Sequence, residues 1–179
     1  MNPALTPVDG IIRPVQPPDR AAVLTITHTS GLFPDDELDD IAATLDRYLA
    51  GTSTDDRWII ATDSTEPVGI AYYAPERMTN GTWNLYMLAI DANHHRQGHG
   101  AALVSHVEHD LRDGRHARLL LIETSGVPEF AGQRAFYAQL GYHIEARIRD
   151  FYDTGDDKII YRKALTPAAD LPSTTNNQP

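Results

Sequence analysis

The segment from Asp91 to Leu103, with Arg96-Gln97-Gly98-His99-Gly100 at its centre, holds the residue types of an anion cradle. An apolar run from Trp83 to Ile90 ends in a polar loop. Two glycines then open a stretch with Leu103, Val104, Val107 and Leu111 at helical spacing. The first N–H groups of a helix lack intrahelical acceptors and carry partial positive charge. Glycine lets such a backbone close on a phosphate without a side-chain collision, and Arg96 adds a full cation. The pattern reads as a pyrophosphate cradle. Gly-x-Gly alone serves tight turns equally well, so the surrounding elements must decide.

Other chemistries find less support. His95 and His99 are four apart, and His106 and His109 three apart, yet no H-E-x-x-H pattern and no third ligand accompany them. His106 and His109 also fall off the apolar face of their helix, so no metal site is expected. His94, His95 and His99 are instead candidates for phosphate contact. The absence of cysteine excludes disulfides, thiolate nucleophiles and thiolate-bound metals. A formal net charge of -10 disfavours nucleic acid and anionic membranes as partners. Neither a secretory start nor a membrane-spanning run is present, so a soluble cytoplasmic protein is expected. A nucleotide site of another kind lacks both the Walker lysine and G-x-G-x-x-G.

The elements that must position this turn follow from periodicity. Residues 1–10 and 166–179 read as tails, the latter too rich in Pro, Thr, Asn and Ala to repay ordering. Residues 11–165 form one domain. Ile11 to Val15 reads as a strand, and Pro18-Asp19 starts a first helix. Pro34 to Ala50 is an amphipathic helix whose first turns carry Asp35, Asp36, Glu37, Asp39 and Asp40. Strands are predicted over Arg57–Thr62, Val68–Tyr73 and Trp83–Ile90, then a helix over about Gly98–Arg112. Leu119-Leu120-Leu121-Ile122, within a strand from Ala117 to Thr124, has the apolar run of a strand covered on both faces. A helix from Glu129 to Leu140 and a final hairpin, His143–Tyr152 with Lys158–Lys163, complete the chain. Hairpins mixed with helical crossovers predict an α+β domain, a mixed sheet in three α/β/α layers.

The strand, turn and helix resemble the acetyl-CoA signature of the GNAT superfamily of N-acetyltransferases, R/Q-x-x-G-x-G/A, here His95-Arg96-Gln97-Gly98-His99-Gly100 with His95 at the usual Arg or Gln position. A second similar segment is Ala135-Phe136-Tyr137-Ala138-Gln139-Leu140-Gly141-Tyr142. The resemblance covers about Ile11 to Leu165 and implies a GNAT fold, its sheet splayed after Trp83–Ile90. Acetyl-CoA would enter that split as acyl donor, with no metal. Leu88, Ala89 and Ile90 would pair with the pantetheine amides. Gln97, Gly98, His99, Gly100, Ala101 and Ala102 would hold the pyrophosphate, with His95 and Arg96 as further cofactor contacts. Tyr137 stands at the position of the general acid. The family's asparagine seven residues before it is Phe130 here, so the resemblance implies that this contact is either missing or supplied by another residue, Ser125 or Arg134.

Acetyl transfer to a primary amine of a small molecule or peptide also needs a base. The strand before the glycine turn offers no glutamate, only Asn84 and Tyr86, which leaves Glu123 as the nearest attractive carboxylate. On one face with Leu119 and Leu121, it either points into a partly apolar site or is a paired or solvated strand end. A water chain to Glu123 or Asn84 is the working expectation. Phe33, Tyr72, Asn84 and Tyr86 are candidates for the acceptor cleft, although strand aromatics more often pack in cores. The acidic run Asp35 to Asp40 would attract a cationic acceptor or simply be a solvated helix start. A non-catalytic CoA-binding module is the alternative function. The C-terminal hairpin leaves a strand edge that a homodimer would cover.

Overall fold

Residues 10–64 and 66–165 are described in the computed structural model. Both expected tails therefore lie outside the described residues, except Gly10, which begins the first strand. The acidic run expected to open a single helix from Pro34 is split, with Asp39 and Asp40 inside the regular helix. Asp35–Glu37 forms a separate short turn, and the regular helix begins at Leu38. The chain runs β1 (Gly10–Pro14), α1 (Arg20–Thr29), α2 (Leu38–Leu49), β2 (Arg57–Asp63), β3 (Glu66–Pro75), β4 (Thr82–Ile90) and α3 (His99–His109). It continues through β5 (Leu119–Ser125), α4 (Ala131–Gln139), β6 (His143–Asp153) and β7 (Asp156–Ala164). The α3 helix ends in a wider turn, Asp110–Gly114, anchored where Asp110 accepts from Tyr73 Oη and Arg115 Nε.

The strands form one seven-stranded sheet in the order β1-β2-β3-β4-β5-β7-β6. Only β4 and β5 are parallel, because α3 carries the chain back across the sheet between them. This is the expected α+β domain, a mixed sheet in three α/β/α layers. One core lies between the sheet and α3 with α4, built on Leu103, Val107, Leu111, Leu120 and Ile122. The other lies beneath α1 and α2, built on Val23, Ile26, Leu45, Trp58 and Ile70.

A bulge in β4 connects these cores to the site. Tyr72 of β3 lies opposite Met87, while Tyr73 lies opposite Leu85, which leaves Tyr86 as an extra residue. One inserted residue reverses which face each later side chain occupies. Trp83 and Leu85 thus enter the core under α3, whereas Met87 and Ala89 enter the core under α1 and α2. Tyr86 itself is 48% exposed.

The covering of β5 differs from the expectation. Leu120 and Ile122 are buried, while Leu119 and Leu121 are only half-buried. The core under α1 and α2 reaches only as far as β4, so the same face of β5, β7 and β6 has no helix over it among the described residues. Replacing Leu103, which is fully buried between α3 and the sheet, by alanine is expected to cost about 3 kcal/mol in urea unfolding, with the denaturant slope unchanged.

Candidate active site

Pairing between β4 and β5 extends only from Thr82–Leu85 to Leu119–Ile122. Beyond those residues β4 continues along β3 to Ile90, and β5 continues along β7 to Ser125. The sheet opens, and the gap becomes a cleft of ≈ 730 Å³. Leu85–Leu88 form one side, and Glu123–Ser125 the other. The α1–α2 loop from Gly31 to Pro34, the start of α4 and the β6–β7 hairpin supply the rest.

The glycine turn sits where β4 ends. Asp91 Oδ1 accepts from Asn93 N–H at 3.0 Å and faces His94 Nδ1 at 3.1 Å, while Gln97 Nε2 donates to Asn93 O at 3.1 Å. These bonds shape the loop without any ligand. Gly98 caps α3 at φ 94°, where a side chain would be strained. The first intrahelical bond runs from Ala102 N–H to Gly98 O at 3.0 Å. The amides of His99, Gly100 and Ala101 therefore stand ahead of it, unpaired in the helix, and Ala102 N–H is already used. A Cβ on Gly100 would meet the Phe136 ring at 3.4 Å, so this glycine also lets α3 approach α4. Arg96 is exposed and has no hydrogen bond or ion pair among the described residues.

The histidines are placed differently from a phosphate-facing set. His99 is 3% exposed and packs edge-on against His94, so only its backbone amide is available at the helix start. His95 turns back, its Nε2 lying 2.9 Å from Ile90 O. It thereby occupies one of the β4 carbonyls expected to pair with a donor strand. No group of three or more His, Cys, Asp or Glu side chains suited to a metal occurs among the described residues.

Tyr137 lines the cleft from α4 and is 8% exposed, among the rings of Phe136, Tyr142 and Tyr161. Its hydroxyl has no hydrogen-bond partner among the described residues. Burial, reinforced by the nearby Tyr161 phenol, pushes it up to about 12, so it remains protonated at neutral pH and can donate. Glu123 also lines the cleft, but its carboxylate is bound by Lys158 Nζ at 2.6 Å instead of standing alone in an apolar wall. Lys158 in turn lies 3.6 Å from the Phe151 ring centroid.

Phe33 and Tyr86 reach the cleft directly. Asn84 does not: it is 1% exposed, and its Nδ2 donates to Glu76 Oε1 at 3.0 Å. Tyr72 lines a smaller neighbouring cavity of ≈ 340 Å³ with Trp58, Glu37 and Asp40. Arg134 Nη1 donates to the carbonyls of Ser125 and Val127 at 2.7 and 2.8 Å, so it clamps the loop leading to α4.

Sequence reasoning missed Glu76. Its Oε1 accepts from Tyr86 Oη at 3.1 Å as well as from Asn84, linking a half-buried carboxylate to the cleft through the bulge residue. Burial, and then the Glu76 carboxylate, push the Tyr86 phenol up to about 12. Alternation around Glu76 gives no signal, because it lies just beyond β3. Gln133, Asp153 and Asp156 are further lining residues not anticipated.

A splayed mixed sheet, a helix start with unpaired amides and a cleft lined by a buried phenol are the features expected of an acyltransferase. A family model described as an acetyltransferase (GNAT) domain matches residues 54–144. A GNAT-family protein from Desulfovibrio desulfuricans is 34% identical, with a TM-score of 0.83 over 88% of this chain and 99% of that one. The chain belongs to the GNAT acetyltransferase family. The ribosomal-protein-S18-alanine N-acetyltransferase of Escherichia coli shares the fold at 21% identity and TM-score 0.71, over 91% of this chain and 98% of that one. So does a Salmonella typhimurium acetyltransferase solved with acetyl-CoA, at 17% identity and TM-score 0.70, over 92% and 98% of the two chains. A search of curated proteins finds no significant match.

The Arg134 clamp gives a test of how the cleft wall is held. Arg134→Ala is expected to cost about 2 kcal/mol, since two charge-assisted bonds to buried carbonyls are lost. Amide exchange through residues 125–130 should quicken while that of α3 is unchanged.

Proposed function

We propose that this enzyme transfers an acetyl group directly from acetyl-CoA to a primary amine of a small molecule or peptide. The observation that carries the reading is Tyr137: a buried, unpartnered phenol lining the gap between diverging strands. The remaining features fit the donor. Three unpaired amides at the start of α3, with Arg96 beside them, suit a pyrophosphate. The edge of β4 beyond Leu85, left without a strand partner, suits an extended amide chain.

Acetyl-CoA supplies an acetyl thioester, whose carbonyl carbon the amine attacks and whose C–S bond breaks. Tyr137 Oη donates a proton to the departing sulfur and is reprotonated from water. N–H groups on the free edge of β4 polarise the carbonyl oxygen. Glu123, on the opposite wall, takes the amine proton through water. A second route is favoured by the bonds at the bulge. Tyr86 can accept from the amine while passing its own proton to Glu76, 3.1 Å away, so that no free phenolate forms.

Acetyl-CoA and CoA should raise the melting temperature and ATP should not; stabilisation by ATP alone would overturn the donor assignment. Tyr137→Phe is expected to lower kcat by about 10²-fold with little change in acetyl-CoA affinity, and unchanged turnover would remove the acid role. The acidic limb of the pH–rate profile should move in Glu123→Gln. A limb that moves only in Glu76→Gln assigns the base to the Tyr86 route instead.

A further inference from the structure

Among the described residues, every charged side chain that lines the cleft is a carboxylate: Glu37, Glu123, Asp153 and Asp156. They come from three separate elements, the turn before α2, the end of β5 and the β6–β7 hairpin, so no single surface run accounts for them. Lys158 binds Glu123 and lies against the Phe151 ring, offsetting one of these charges, and the Arg134 guanidinium is committed to the carbonyls of Ser125 and Val127. Glu37 makes no side-chain hydrogen bond or ion pair among the described residues. Asp153 accepts from Thr154 N–H at 2.6 Å, and Asp156 accepts from Ser125 Oγ at 2.5 Å, both through Oδ1. Each retains a second oxygen without a protein donor among the described residues.

The fields of these groups converge. Burial first, and then the carboxylates of Glu123, Asp156 and Glu37, push the Tyr152 phenol up to about 12. Glu37 and the hairpin therefore act on the same space although they lie far apart in the chain. That space is apolar between its charges: Tyr86 and Tyr152 are each 48% exposed, and Phe33 and Leu32 border it. Alkyl stems ending in ammonium groups suit aromatic faces flanked by carboxylates. Tyr137, buried and unpartnered in the same cleft, points independently to a bound reactant.

We propose that the acceptor is a small di- or polyamine, an alkyl chain carrying at least one ammonium besides the amine that reacts. The proposal rests on the acetyl-transfer reading. A lone amine would answer one carboxylate and leave the others facing each other, while an acceptor with its own carboxylate would add to the repulsion. The second ammonium is held by Glu37 and the hairpin carboxylates. The reacting ammonium loses one proton to the base and attacks as a neutral amine. The C–N bond forms, the C–S bond breaks, and a second N–H proton leaves as the amide forms. The sulfur takes up one proton, so the reaction releases a net proton. The α1–α2 loop and the β6–β7 hairpin both border this one cleft, which favours a slender molecule over a folded chain.

The test uses the full chain with acetyl-CoA and five acceptors: spermidine, 1,4-diaminobutane, n-butylamine, 4-aminobutanoate and a lysine-containing peptide. CoA thiol release and product mass are followed, with acetyl-CoA thermal stabilisation measured in parallel. The expected kcat/KM for spermidine and the diamine is at least tenfold above that for n-butylamine, with 4-aminobutanoate lowest. The preference should shrink with added salt, and Glu37→Gln combined with Asp153→Asn should reduce it below threefold, mainly through KM. Equal turnover of n-butylamine, preference for 4-aminobutanoate or the peptide, or no turnover of any acceptor while acetyl-CoA still stabilises would each overturn the acceptor class alone. Loss of acetyl-CoA stabilisation would instead overturn the donor reading, and the acceptor class with it.

Discussion

The structure depends on where one ladder stops. The β4 and β5 strands pair for four residues and then part after Leu85 and Ile122. Backbone N–H and C=O groups beyond that point cannot be left dry without a cost of about 1–3 kcal/mol each, so the gap must hold water or a ligand that bonds like a strand. Other features serve this opening. The bulge at Tyr86 turns β4 so that Met87 and Ala89 anchor it under α1 and α2 while Leu85 remains under α3. Arg134 ties down the loop after β5, and the Gly98 turn begins α3 just beyond the free edge.

Charge differs between the two ends of the opening. At the end of β4 stand unpaired amides and Arg96, an environment for anions. At the α1–α2 loop and the β6–β7 hairpin stand carboxylates and aromatic rings, an environment for cations. The two fields differ in sign, and in the proposed reaction that difference would sort an anionic donor from a cationic acceptor. Tyr137 lies in the cleft under a wall of aromatic rings, where burial keeps its proton in place at neutral pH.

Much of this was legible in sequence because it is local. The apolar stripes of α2 and α3, the turn at Gly98 and the hairpin at Gly155 each follow from a few neighbouring residues. The fold class followed from their order. What stayed hidden is non-local or silent in composition. The Trp83–Ile90 run is apolar on both faces, so a bulge at Tyr86 leaves no break in its pattern. The Glu123–Lys158 pair joins residues 35 apart in the chain. Glu76 meets Tyr86 only because β3 and β4 form a hairpin. His99 looks like a phosphate ligand beside Arg96, but its position as the first residue of α3 turns the ring into the protein.

The central claim is that the free edge of β4 receives the acyl donor as an added strand. Amide hydrogen exchange of residues 85–90, with and without acetyl-CoA, tests it most directly. Adding acetyl-CoA is expected to slow exchange markedly within Tyr86–Ile90 and at His99–Ala101, with β2 and β7 unaffected. Slowing confined to other strands, with β4 and the start of α3 unchanged, would contradict it.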